Sequence, residues 1–381
     1  MEFFMDYATL KVVWWVLVGV VLCLYGLTCG FDLGVGTLLP FVAKKNDERR
    51  VLINSIGPTW DGNQVWLIFA GGALFVVWPM VYGVVFSGLY FALILLLFSM
   101  FLRPVGFEYR HKIHSATWQK SWDWAIFVGS AVPALLIGVT LGNLMLGLPF
   151  HMNDEFRSFY TGSFWQLLSP FAIIVGLVSV SMLATHGATF LQMRTEDVIH
   201  ERSRKTSILF AAIYLVLFLV AGGWIANGLP GYHLSHLPQM PLAQFSQTTV
   251  DKVPSGLLAN YGIHPLFLIA PLVAILGSIL VIVMAAMRKS KMSFLGSAMM
   301  VVGSMFTFGL SMFPFVVPSS TVPDQSLTIW SASSAQYTLQ IMFVATCIIL
   351  PFVAFYTQWV YRKMWGPVTV EHIERNGDHL Y

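Results

Sequence analysis

Runs of about 20 apolar residues, enough to cross a bilayer as a helix, recur along the chain between short polar stretches. Backbone groups in lipid must satisfy one another, which leaves helices or closed barrels. These runs lack the apolar–polar alternation of barrel strands. The pattern predicts an all-α, polytopic transmembrane helical bundle. Its spans fall at roughly 9–40, 52–77, 79–103, 122–145, 164–190, 206–228, 262–287, 293–313 and 334–361. No stretch reads as a separate soluble domain, so residues 1–381 form one integral membrane domain.

The stretch from Leu52 to Arg103 decides the count. As a single helix its 52 residues would run about 78 Å, more than twice the hydrocarbon thickness. It must break, and Pro79 in "VWPM" is the natural place. Nine spans follow if the chain turns at Trp78-Pro79. Eight follow if Trp60 to Trp78 is a loop. Cytoplasmic loops are enriched in Lys and Arg. Nine spans divide these residues 18 to 3 between the two sides, and eight spans divide them 15 to 6. The sharper division favours nine, with the N-terminus outside and the C-terminus in the cytoplasm. The first apolar run follows two acids and no basic n-region, so it reads as a retained helix rather than a signal peptide.

Composition agrees with this class. The chain is 57% hydrophobic and 10% charged, where a soluble domain carries about a quarter charged residues. The net charge of +3 carries no nucleic-acid signal, because the basic residues sit in clusters between apolar runs. Cys23, Cys29 and Cys347 lie within apolar runs and form no CxxC pair. Most of the ten His residues lie in loops; His186 and His264 fall within or at the edge of spans, without helical metal-ligand spacing.

The sharpest chemical signal is in "GFDLGVG" and "GPTWDGNQVW". Asp32 and Asp61 lie about equally far, some 14 residues, from the basic turn "KKNDERR". An antiparallel helix pair built on that turn places both carboxylates at similar depth. An intramembrane acid is costly unless it faces protein or water and has partners. Asn63, Gln64 and the Trp60 indole are candidate partners, and such a pair could take up and release protons. The alternative is that the two acids only cap or pin helices. Gly26, Gly30 and Gly34 form a small-residue ridge, read as packing. Arg103 and Asp123 stand near neighbouring helix ends. They could pair, but spacing alone favours interfacial anchoring beside Trp118, Trp122 and Trp124.

Several long stretches are specific: "GFDLGVG", "INSIGPTWDGNQVWLIFAGGALF", "FSGLYFALILLLFSMFLRPVGFEYR", "YTGSFWQLLSPF", "MFPFVVPSS" and "IERNGDHLY". Through them the chain resembles, nearly end to end, subunit II of the bacterial cytochrome bd-type quinol oxidases. The resemblance implies a haem-free subunit of a respiratory terminal oxidase in the bacterial inner membrane. Its fold would be two four-helix bundles plus a peripheral helix. Its partners would be a haem-bearing subunit I that ligates haem b and haem d, small single-span accessory subunits, quinone and lipid. It can also hold a structural quinone. No metal would be bound by this chain, and no complete active site would lie on it.

By the same resemblance, Asp61, with Asp32 nearby, belongs to a cytoplasmic proton-entry route for reducing dioxygen to water. Arg103 and Asp123 would serve haem incorporation, and Trp66 would lie near an oxygen route. The chain departs from the family pattern at Cys29, where relatives carry an acid, at Ser331, where they often carry Asp, and at His186 in place of Gln. Two rivals are a proton-coupled secondary transporter using Asp32 and Asp61, and a subunit that itself binds haem through His186 or His264. The first should show repeated, Gly/Pro-broken spans. One such region is visible, around Gly71, Gly72 and Pro79, without a counterpart.

Overall fold

The structure, a computed structural model, describes residues 5–236 and 249–375. Parts of the polar segment at 229–261 and of the closing "IERNGDHLY" lie outside those residues.

The first apolar run is one helix, α1 (Tyr7–Val42), capped by the Asp6 carboxylate, which accepts the Thr9 N–H at 2.9 Å. The second run divides in two. Helix α2 (Asn46–Ile56) stops at Gly57-Pro58, where proline has no N–H to continue the ladder, and α3 (Trp60–Val77) follows. The single span expected at 52–77 is therefore the end of a short helix with a charged head followed by a crossing one. The third run also divides, into α4 (Pro79–Gly88) and α5 (Tyr90–Tyr109). Trp78, at φ −133° and ψ 72°, is the break before Pro79. The chain continues through α6 (Ala116–Leu146), α7 (Pro170–Arg194), α8 (Asp197–Ala226), α9 (Ala259–Ile263), α10 (Ile269–Ala286), α11 (Ser290–Met312), α12 (Gln336–Lys363) and α13 (Val370–Arg375).

Among the described residues, eight helices are long and apolar enough to cross a membrane. Helix α3 begins with polar residues but still runs the length of the bundle. Asn63 near its head bonds Asp32 in the second half of α1, and Trp78 beyond its tail packs with Leu10 and Trp14 at the start of α1. Helix α5 then returns, and Arg110 just past its tail bonds Asn46 at the head of α2. Among the described residues the chain thus traverses the bundle nine times, and Trp60 to Val77 is a helix, not a loop.

Helices α7, α8, α10 and α11 close one four-helix ring. Helices α1, α3, α5 and α6 make the other, and α12 lies outside against α1 and α3. The rings meet where α1 and α6 press on α7. Glycine permits that contact: a Cβ on Gly187 would sit 2.5 Å from Gly34 backbone carbon, and one on Gly138 would sit 2.6 Å from the Val175 carbonyl oxygen. The ridge of Gly26, Gly30 and Gly34 faces α11 and α7 in turn.

One end of the bundle gathers basic side chains and their partners. Arg202 donates to Glu48 at 2.7 Å, and Arg194 donates to the Met364 carbonyl at 3.1 Å. The opposite end is covered by three antiparallel pairs: β1 (Phe150–Met152) with β2 (Ser158–Tyr160), β3 (Pro230–His236) with β4 (Thr249–Pro254), and β5 (Phe315–Val317) with β6 (Leu327–Thr328).

Candidate functional site

On α1, Gly30 and Gly34 face the second ring. Asp32 lies two residues from each, about 200° round the helix, and is turned to α3. Its side chain is fully buried, and its Oδ2 accepts the Asn63 Nδ2–H at 2.7 Å. Asn63 Oδ1 in turn accepts the Tyr361 hydroxyl from the end of α12 at 2.6 Å. Tyr361 also lines a cleft at the basic end, with Ser55, Thr59, Arg194 and Trp365. A hydrogen-bonded series therefore runs from that cleft to a carboxylate set about 15 Å of helix inside the end of α1.

The other Asp32 oxygen, Oδ1, has no regular hydrogen-bond partner. Nor do the three guanidinium nitrogens of Arg103, the Tyr25 hydroxyl or Gln64 Nε2, and all of these atoms are buried. Arg103 on α5 is within electrostatic reach of Asp32, Cys29 and Tyr25 on α1. Gly129 on α6 makes room for its stem, since a Cβ there would lie 2.9 Å from Arg103 Cγ.

Asp61 is elsewhere. It is exposed in the first turn of α3, where the helix dipole favours a carboxylate. Two residues separate it from Asn63, again about 200° of rotation, so with Asn63 facing α1 it faces outward. Asp32 and Asp61 are close in depth but opposite in direction. Asn63 serves Asp32 and Tyr361, and no hydrogen bond joins Asp61 to Trp60, Asn63 or Gln64 among the described contacts. Trp60 is half-buried, edge-on to Phe107 with ring centres 5.8 Å apart. Trp66 is buried in a core cluster with Tyr25, Cys29 and Ala134.

The Arg103–Asp123 pair is corrected. Asp123 is buried and bridged by Arg49 at 2.6 Å and by Arg110 at 2.6 Å. The α5–α6 register sets Arg103 against Gly129 and Gly106 against Ile126, which carries Arg110, not Arg103, to Asp123. Interfacial anchoring fails for both residues as well, because each is buried within protein. The cluster ties α2, α5 and α6 at their basic ends. Sequence reasoning missed Arg49 and Arg110, which looked like two more loop cations. It also missed Tyr361, whose one signal was an aromatic beside basic residues at a helix end.

His186 is fully buried, with Nδ1 2.8 Å from Ser297 Oγ and Nε2 3.0 Å from the Leu27 carbonyl. A carbonyl only accepts, so Nε2 carries the proton, and Nδ1 faces the Ser297 hydroxyl, which also lies 2.8 Å from the Phe294 carbonyl. Nε2 is committed to Leu27, and Nδ1 is enclosed by Ser297. His264 is exposed. Among the described residues no group of three or more His, Cys, Asp or Glu is placed to hold a metal. The site is an acid–amide–phenol series beside a buried arginine, with one carboxylate oxygen left open.

Residues 10–364 match the family model described as cytochrome bd terminal oxidase subunit II. The chain is 46% identical over 377 residues to cytochrome bd-I ubiquinol oxidase subunit 2 of Escherichia coli K12, covering 99% of this chain and 100% of that one. It is 43% identical to a probable cytochrome oxidase subunit 2 of Haemophilus influenzae, with 99% and 100% covered. It is 29% identical to cytochrome bd ubiquinol oxidase subunit 2 of Bacillus subtilis, with 93% and 97% covered. Its fold matches a chain of the bd oxidase from Geobacillus thermodenitrificans with a TM-score of 0.69 at 15% identity, over 93% of this chain and 98% of that one. With eight helices fit to cross a membrane and a match spanning nearly its full length, the chain is a multi-pass membrane protein and belongs to the cytochrome bd terminal oxidase subunit II family.

Proposed function

We propose that this chain is the haem-free subunit II of a respiratory quinol:oxygen oxidoreductase. The family match and the relatives named ubiquinol oxidase subunit 2 support this reading over a transporter. In such a complex two quinols are oxidised for each dioxygen reduced, and four protons are consumed in forming two waters. The haems reside on subunit I. This chain braces subunit I and helps bring protons from the cytoplasm.

The outward face of α3 fits the bracing role. Val65, Ile68 and Phe75 are exposed there, and Gly62, Gly71 and Gly72 have open space where a side chain would go. That is the small-residue surface a partner helix packs against. Asp61 lies at the basic end of this face, so docking would bury it at the interface. The positive-inside rule makes the basic end cytoplasmic. Protons would then enter past Asp61 and reach the level of Asp32.

The observation that carries the proton role is Asp32: a buried carboxylate with one oxygen held by Asn63 and the other without a regular hydrogen-bond partner. The test is Asp61→Asn in the assembled complex at normal haem content. Quinol oxidase turnover is expected to fall by about a hundredfold, the lower end of what a positioned proton-transfer group contributes. Unchanged turnover across a pH series leaves the brace alone.

A further inference from the structure

Four side chains on three helices carry buried polar atoms without a regular hydrogen-bond partner: Tyr25 and Asp32 on α1, Gln64 on α3 and Arg103 on α5, with the Cys29 thiol beside Tyr25 and Arg103 and the Phe107 ring 5.8 Å from the guanidinium. Buried polar groups in folded proteins are almost always hydrogen-bonded, to protein or to ordered water. A guanidinium cannot escape by losing its proton, and Arg103 is 0% exposed. The charge facing it is Asp32, whose Oδ1 is open, and the two are not in direct contact. Water meets the needs of both: each bridging molecule can accept from the guanidinium or tyrosine and donate to the carboxylate.

The bonded series from the cleft cannot itself carry protons. The Asn63 amide holds Asp32 Oδ2 with a donated N–H and accepts from Tyr361. Passing a proton through it would require removing an amide hydrogen, and a carboxamide does not titrate in the range where a carboxyl does. Asn63 and Tyr361 therefore fix Asp32 in place and leave Oδ1 as its working atom. Gln64 follows Asn63, the residue that holds Asp32. It is half-buried with a buried Nε2, and it follows Asp61 by three residues, so the two are neighbours on the surface of α3.

We infer that Tyr25, Asp32, Gln64 and Arg103 enclose a hydrated chamber inside the membrane, whose waters deliver protons to Asp32 Oδ1 from the Asp61 side past Gln64. In each delivery a hydronium in the chamber gives one proton to the Asp32 carboxylate and remains as water. The carboxylic acid later returns that proton to the same water chain. The delivery half rests on the proton-entry reading above; hydration of the chamber does not.

Pulsed X-ray radiolysis of the intact complex tests hydration, because hydroxyl radicals form in place from water and label only side chains that touch it. Tyr25 is expected to be oxidised about tenfold faster than Tyr214, because a radical formed on a bound water reaches it directly. Tyr214 is the dry control: it is 0% exposed, with its hydroxyl 2.6 Å from Ser304 Oγ. Gln64→Leu, at normal haem content, is expected to lower turnover about tenfold and to enlarge the solvent deuterium isotope effect. A Tyr25 rate equal to that of Tyr214 overturns the chamber, even if Asp61→Asn has lost activity and the entry route stands. Wild-type turnover and isotope effect in Gln64→Leu overturn delivery through it.

Discussion

Asp123 and Arg103 carry opposite charges on neighbouring helices, yet each has found a different solution to burial. Asp123 is held by two guanidiniums within 2.6 Å. Leaving a buried charge wholly unpaired costs about 3–5 kcal/mol, and loss of Arg110, the more buried of the two, costs less than that because Arg49 still holds Asp123. Arg110→Met is therefore expected to lower the melting temperature of the complex clearly, measured by a thiol- or tryptophan-based melt. Arg103 has no carboxylate in contact and a thiol, Cys29, beside it. Cys29→Asp would give it one, so the substitution should stabilise in the presence of Arg103 and destabilise with Arg103→Met. A double-mutant cycle with no coupling between these positions would show that they do not share a site. Depth was legible for Asp32 because it follows from counting residues to a turn. The directions of Asp61 and Arg103 were not, since they depend on which face of α3 meets α1 and on the α5–α6 register.

Among the elements, α1 is packed on several sides, and α3 leaves one face open. Gly34 and Gly187 bring the backbones of α1 and α7 together, and a methyl at either must push them apart. Overpacking of this kind costs about 1–3 kcal/mol, so Gly187→Ala is expected to lower thermal stability. A Cβ at Gly71 or Gly72 meets nothing within 4 Å, which makes room for Gly71→Leu and Gly72→Leu. They should leave its own fold intact and reduce the amount of subunit I that co-purifies, read as haem per chain. Undiminished haem would move the docking face off α3. The turn between α1 and α2 has a pH dependence of its own. Burial alone would raise the Glu48 pKa, but the N–H groups of Lys44 and Lys45 and the Arg202 guanidinium outweigh it and leave it lowered. A lowered carboxylate stabilises the folded turn fully above the ordinary value of 4.5 and loses that contribution as pH falls through its own lower value. Amide exchange at Lys44 and Lys45, corrected for its intrinsic rate, should quicken over that acid window in wild type and not in Glu48→Gln.

For the whole molecule, the spans were legible because apolar length is a one-dimensional property, and their breaks less so. Pro79 announced one interruption. Pro58 announced another but sat within a run apolar enough to read as continuous, so α2 appeared only when its polar head folded back onto Arg202 and Arg110. The distribution of charge makes the remaining global feature testable. Eighteen of the 21 Lys and Arg residues belong to the end carrying α2, when the chain crosses nine times. Insertion leaves such loops in the cytoplasm. Lys45 is exposed at that end, and Arg157 and Lys252 are exposed at the other. With Cys347 replaced by Ser, a cysteine at Lys45 should react with a membrane-impermeant maleimide only after the inner membrane is opened. Cysteines at Arg157 or Lys252 should react in intact spheroplasts. Labelling of Lys45→Cys from outside would reverse the molecule, place the Tyr361 cleft and Asp61 on the periplasmic side, and remove the cytoplasmic source of protons on which the entry route depends.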